Sequence, residues 1–259
     1  QSFSRGALTR LGRVHGPDEA VAAVAVARRA GFENLNLDLM YGLPGQDQDA
    51  AGQDLETAIS LQPEHLSYYQ LTIEPNTLFH AAPPVLPEDE GLWEIEAAGH
   101  ERLQAAGYRQ YEVSAFARDG QQCRHNSNYW EFGDYLGIGA GAHGKITDAA
   151  AGLVRRYHKP RAPEVYLRQT TGSSQPPPAR PLSQPDLVLE FMLNTLRLTH
   201  GFPPGLFQAR TGLPLELIRP QLERAVAMGL LEMEETSFLP SPVGRRFLNE
   251  LLALFMPQD

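Results

Sequence analysis

The chain has 259 residues, 42% of them apolar and 20% charged, and a formal net charge of −9 at pH 7, which excludes a disordered or fibrous protein and argues against non-specific attraction to nucleic acid or anionic lipid. Its longest apolar run, Ala20 to Ala27, falls well short of the ~18 residues of a membrane-spanning helix. The single cysteine, Cys123, excludes an internal disulfide and any multi-cysteine zinc or iron–sulfur site built from this chain alone. Taken in order, the first clear element is a helix opened by Asp18 and Glu19 and closed by Arg28, Arg29 and Gly31. Its small Ala and Val interior predicts close packing against a sheet. Asn34 to Met40 alternates with period two and runs into Gly42-Leu43-Pro44-Gly45, the pattern of a strand ending in a loop. A helix over Asp49 to Leu61, a strand over Leu66 to Ile73, a long helix from about Glu88 to Ala106 and a strand over Tyr111 to Ala117 follow. Helix and strand in regular alternation predict parallel β/α units, and a barrel is preferred to a doubly wound sheet.

From Gln121 to Lys145 the chain is rich in aromatic residues and glycine, and a hairpin is expected around Ile146 to His158. Thr170 to Pro185, containing Pro176-Pro177-Pro178, reads as a linker. Helices are expected over Asp186 to Leu198, Pro203 to Thr211, Pro214 to Met228 and Val243 to Phe255, with a short hairpin over Leu230 to Leu239. That order resembles a winged helix, but residues 186–259 carry six arginines, no lysine and nine acids, a poor supply for phosphate contacts. A packing or capping domain is the better reading, with no nucleic-acid partner. The expected divisions are 1–148, a partial barrel with a loop of functional interest; 149–185, hairpin and linker; and 186–259, a small helical domain.

Three constellations can carry chemistry. Asn36 and Asp38 share one face of their strand, and Gln70 and Thr72 are expected to share one face of the next, near the carboxyl ends where parallel strands place ligand sites. Such groups more often satisfy loop backbone or buried water. Second, in Cys123-Arg124-His125-Asn126-Ser127-Asn128-Tyr129-Trp130 an imidazole can ligate iron, and Tyr129 and Trp130 can lie against a flat apolar ligand. A surface histidine beside core aromatics is the commoner origin of such a string, and Cys123 reads as an ordinary free thiol. Third, Gly139-Ala140-Gly141-Ala142-His143-Gly144 formally matches G-x-G-x-x-G, but no helix is expected to start inside it, so dinucleotide binding is rejected and His143 stays a candidate pocket residue.

Several strings together resemble one family: Leu11-Gly12-Arg13-Val14-His15, Asn36-Leu37-Asp38-Leu39-Met40-Tyr41-Gly42-Leu43-Pro44, Tyr111-Glu112-Val113-Ser114-Ala115-Phe116-Ala117, His125-Asn126-Ser127-Asn128-Tyr129-Trp130 and Gly133-Asp134-Tyr135-Leu136-Gly137-Ile138-Gly139. They are similar to the HemW-type haem chaperones, radical S-adenosylmethionine (radical SAM) proteins related to oxygen-independent coproporphyrinogen III oxidase. The resemblance implies an α/β fold, the C-terminal part of a partial (β/α)6 barrel followed by a winged-helix-like domain. It places Gln1, Arg13, Asp38 and Thr72 at S-adenosylmethionine contacts and His125 at the haem iron with Tyr129 and Trp130 beside it; the related oxidase has no histidine at the contact near His143, which stays a cofactor neighbour by its place in the glycine string alone. The family's C-x-x-x-C-x-x-C loop and [4Fe–4S] cluster have no counterpart here, so a fragment of a longer protein is expected, and this chain alone cannot cleave S-adenosylmethionine reductively. A chaperone delivering haem to apo-haemoproteins in the cytoplasm is favoured over an enzyme. Peripheral membrane association and homodimer formation are the further associations it admits. The alternatives are a coproporphyrinogen oxidase and a non-catalytic interaction fragment.

Overall fold

The structure is a computed structural model describing residues 1–170, 179–234 and 236–257. The chain divides into two compact units, Gln1–Cys123 and Arg124–Asp259.

The first unit contains α1 (Arg5–Arg10), α2 (Pro17–Arg29), β1 (Asn36–Tyr41), α3 (Gln48–Ser60), β2 (His65–Gln70), α4 (Leu78–Ala81), α5 (Asp89–Ala105), β3 (Arg109–Glu112) and β4 (Ala115–Ala117). Ser4 and Asp47 cap α1 and α3 through their side chains, satisfying N–H groups that have no partner within the helix. β1 and β2 pair in parallel, with Asn36 opposite His65, Asp38 opposite Ser67 and Met40 opposite Tyr69. The expected single strand over Tyr111 to Ala117 is instead the hairpin β3/β4, bulged between Gln110 and Glu112, and β4 joins β2 antiparallel. Only Val113 and Ser114 separate the two strands, a hairpin-length link, whereas a parallel crossover takes a dozen residues or more.

One face of this sheet is apolar. Leu39 and Tyr41 of β1 and Leu66 and Tyr68 of β2 pack with Ala51, Leu55 and Ala58 of α3 and Ile95 and Leu103 of α5. Gly99 of α5 is required there, since a Cβ would come 2.5 Å from the Tyr68 ring. The opposite face is left to Asn36, Asp38, Ser67 and Tyr69. Close packing of α2 against a sheet is not observed: Val24 alone is buried, because β1 is the edge strand and, among the described residues, no strand stands beyond it for α2 to cover. The segment before α1 is held instead by buried Asp54, which accepts from Ser2 Oγ and Phe3 N–H, both at 2.6 Å, while Gln1 O accepts from Met40 N–H at 2.8 Å.

The second unit contains α6 (Arg124–Trp130), β5 (His143–Asp148), β6 (Leu153–His158), α7 (Pro163–Thr170), β7 (Ala179–Pro181), α8 (Gln184–Thr195), α9 (Pro204–Thr211), α10 (Arg219–Ala227), β8 (Leu231–Met233), β9 (Phe238–Pro240), α11 (Pro242–Arg246) and α12 (Leu248–Ala253). β5, β6 and β7 form an antiparallel sheet, and β8/β9 form the wing. The boundary expected at 148 falls instead after Cys123, because β5 pairs with β6 and because Phe132 and Val154 enter the same core as Phe191, Phe202 and Phe207. Of the expected linker, Pro176-Pro177-Pro178 lies outside the described residues, and 179–181 is strand. The last expected helix is broken at Phe247 (φ −111°, ψ 46°). Ser241 pins the start of α11 to the Gly229 and Leu230 carbonyls.

Lys145 is 2% exposed yet fully engaged: Nζ donates to Phe132 O (2.8 Å) and Asp134 Oδ1 (3.3 Å) and lies 4.0 Å from the Phe132 ring centre. Asp134 also accepts from Thr147 N–H and Oγ1. Burial pushes the Asp134 carboxyl up, but these hydrogen bonds and the Lys145 charge outweigh it and hold it below its ordinary value. The pair pins the loop after α6 to β5.

Candidate functional site

On the polar face of the first unit a hydrogen-bonded chain runs across the sheet. Asn36 Nδ2 donates to Asp38 Oδ1 at 2.8 Å, leaving Asn36 Oδ1 to accept from His65 Nδ1 (2.7 Å) and Ser67 Oγ (3.1 Å). With Nδ1 as donor, His65 Nε2 accepts from the Tyr111 hydroxyl at 2.7 Å, and that oxygen accepts the Cys123 N–H at 3.2 Å. This set fits the neutral Nδ1–H tautomer of His65, and burial lowers its pKa, with Asp38 a smaller opposing influence. Its stabilising contribution is complete above the ordinary value of 6.5 and is lost as pH falls below it toward the lowered folded value, since the unfolded chain binds the proton first. Urea midpoints should thus drop on acidification through that window, and His65→Gln should reduce the slope; an unchanged slope would remove His65 from this role.

Gln1, Arg13 and Asp38 all act on the Tyr69 hydroxyl. The Tyr69 hydroxyl is pushed up first by burial and then by Asp38, while Arg13 and a hydrogen bond from Gln1 oppose this. Gln1 Oε1 is buried with no hydrogen-bond partner among the described residues. Gln1, His15, Asn36 and Asp38 line a cavity of about 190 Å³, less than the ~300 Å³ at which ligand pockets begin. Thr72 is not brought into this group: it lies beyond the end of β2, exposed, and donates to Glu74 at 2.9 Å. The expected pairing of Gln70 with Thr72 on the ligand face is replaced by Ser67 and Tyr69. Gln70 falls on the helix side, where a Cβ on Gly42 would meet both it and Leu92. Ser67 and Tyr69 were legible only as alternate positions of a run with polar groups on both faces, and His65 lay just before the expected strand.

In the second unit His125 is exposed in the first turn of α6, its ring edge-on to Tyr129 (centroids 4.7 Å, 88°). Tyr129 in turn packs on Tyr135 (4.2 Å), whose hydroxyl is held by Arg156, itself paired with Glu190. Tyr135 also lines a mainly apolar cavity of about 390 Å³ with Leu136, Ile138, Ile146, Tyr157 and Lys159. Leu136 and Ile138 there are 76% and 86% exposed. Trp130 does not join the His125 stack: the Arg197 guanidinium lies 4.7 Å from its ring centre, and its buried Nε1 has no partner among the described residues. His143 opens strand β5, so the glycine string before it starts no helix, as expected. Cys123 is a half-buried free thiol, and no group of three His, Cys, Asp or Glu side chains able to hold a metal ion occurs among the described residues. A separate cavity of about 660 Å³, lined by Val188, Ile218, Gln221, Arg224 and Phe255, contains none of the expected site residues.

Residues 182–247 match the model of the HemN C-terminal domain. The heme chaperone HemW of Escherichia coli (strain K12) is 49% identical over 258 residues, covering 100% of this chain and 67% of the relative. That of Haemophilus influenzae is 44% identical over 259 residues, covering 100% and 66%. The Bacillus subtilis heme chaperone HemW is 32% identical over 264 residues, covering 99% and 68%. Among solved structures, coproporphyrinogen III oxidase (HemN) from Escherichia coli, described as a radical SAM enzyme, superposes with a TM-score of 0.76 over 98% of this chain and 62% of that one. At 19% identity that likeness is one of fold, and it agrees with the expected partial barrel and C-terminal domain. The chain spans about two thirds of the length of the curated relatives it matches. By identity and coverage, the chain belongs to the HemW heme chaperone family.

Proposed function

We propose that the complete protein binds haem through His125 and passes it to apo-haemoproteins in the cytoplasm. The observation that carries this reading is the exposed His125 imidazole at the head of the Tyr129–Tyr135 stack, beside an apolar cavity with Lys159 at its rim. Imidazole nitrogen suits the iron, stacked rings and apolar walls suit a porphyrin face, and a lysine suits a propionate. The names of the relatives support the chaperone reading; the fold likeness to an oxidase does not favour turnover. Haem-loaded complete protein mixed with an apo-haemoprotein should restore the acceptor's absorbance and activity. Retention of the haem, or porphyrinogen turnover in place of transfer, would refute delivery.

The residues around Tyr69 suit S-adenosylmethionine: buried Gln1 Oε1 offers an unpaired acceptor, Arg13 a partner for a carboxylate and Asp38 an acceptor for hydroxyl or amino groups. Bound to a reduced cluster, that cofactor supplies radical chemistry. One cysteine does not fit a [4Fe–4S] cluster, so no step is assigned through it. In the complete protein, Asp38→Ala should weaken S-adenosylmethionine binding by about 1.5–3 kcal/mol, the range for a charged hydrogen bond. An unaltered dissociation constant would remove Asp38 from the site. No helix of the described residues is long and apolar enough to cross a membrane. Peripheral membrane association and homodimer formation belong to the same proposal.

A further inference from the structure

His143 and His158 stand directly opposite each other on the β5/β6 ladder. The bond from Lys159 N–H to Ala142 O, 2.9 Å, makes 142 and 159 a hydrogen-bonded pair. By alternation 143 and 158 form a non-hydrogen-bonded pair, the position at which antiparallel side chains approach closest. Both imidazoles are exposed, with centroids 6.2 Å apart and planes tilted by 33°. On the other flank of His143 the chain presents Gly137, where a Cβ would lie 2.0 Å from the His143 carbonyl oxygen, so that neighbour adds no side chain. The cations next along the same face are already neutralised: Lys145 pairs with Asp134, and Arg156 with Glu190.

We propose that His143 and His158 form a two-imidazole chelate for a divalent transition-metal ion that prefers nitrogen donors, Cu²⁺ ahead of Ni²⁺ and Zn²⁺. Metal–nitrogen bonds of ~2.0 Å at two adjacent coordination positions bring the ring centroids to about 5 Å. Rotation of two exposed rings closes the gap from 6.2 Å. Two donors from one face of one ladder occupy adjacent positions, whereas the porphyrin of a haem leaves only the two positions opposite each other. The pair therefore selects an aquo ion over haem iron. Water completes the coordination, since no third His, Cys, Asp or Glu joins the pair among the described residues.

Calorimetric titration of Cu²⁺ into the untagged chain, with electron paramagnetic resonance reading the bound nitrogens, tests this. His143→Asn and His158→Asn should each weaken the tightest Cu²⁺ site by about tenfold or more, with the double substitution little worse, because losing either donor destroys the chelate. The equatorial nitrogen count should fall from two to one in each single variant. Single substitutions that change Cu²⁺ affinity by less than about twofold would show two independent surface imidazoles and overturn the proposal. So would loss of haemin binding in both variants without any Cu²⁺ site in the wild type. His125→Ala should leave Cu²⁺ binding intact, so that failure of the haem reading and failure of the chelate are separately visible.

Discussion

In the complete protein, His125→Ala is expected to weaken haem binding by about 100-fold or more and to abolish the ligand-dependent shift of the Soret band, since even an outer-shell partner of a metal ligand is commonly worth 10–100-fold. The side chain is exposed in a short helix and touches Tyr129 edge-on, so its removal leaves the fold intact and deletes the iron donor alone. Tyr129→Leu should cost much less, about 0.5–1.5 kcal/mol, because it removes an aromatic contact and keeps the nitrogen. Optical titration with haemin under reducing conditions separates the two. An unchanged spectrum in His125→Ala would move the iron to another residue and end the present assignment.

Phe191→Ala is expected to lower the stability of the second unit by about 3–5 kcal/mol. Phe191 of α8 is fully buried and meets three rings nearly at right angles: Phe132 at 5.8 Å, Phe202 at 5.1 Å and Phe207 at 5.1 Å. Deleting it leaves a cavity at the point where the loop after α6 joins the C-terminal helices, and each aromatic pair adds ~0.5–1.5 kcal/mol beyond its buried area. Trp93 and Trp130 fall in different units, so Trp130 fluorescence in a Trp93→Phe background reports unfolding of the second unit by itself. A loss below about 1.5 kcal/mol would mean that the core collapses around the gap and that Phe191 is no keystone. Haem binding should fall with the folded fraction, and both should return with Phe191→Leu, which refills most of the volume.

Local signals settled much of this protein. Asp18, Glu19, Arg28 and Arg29 mark both ends of α2, and the Gly42-Leu43-Pro44-Gly45 string ends β1, because caps, helix dipoles and turn geometry act over a few bonds. The lone Cys123 ruled out a cluster built from this chain by counting alone. His125 and its aromatic neighbours formed a contiguous string, so a short helix sufficed to bring His125 and Tyr129 together.

Pairing partners distant along the chain decided the rest. β2 carries polar groups on both faces, and only the burial of Leu66 and Tyr68 against α3 and α5 turns Ser67 and Tyr69, rather than Gln70 and Thr72, toward Asp38. Val113-Ser114 became a hairpin once β4 found β2, and Trp130 was drawn under Arg197 instead of staying with His125. His158 carried no signal until the ladder set it against His143. Helix ends and strand periods arise from neighbours in sequence, whereas the direction a polar side chain faces depends on which apolar surface its strand must bury, and that surface is supplied by residues far away along the chain.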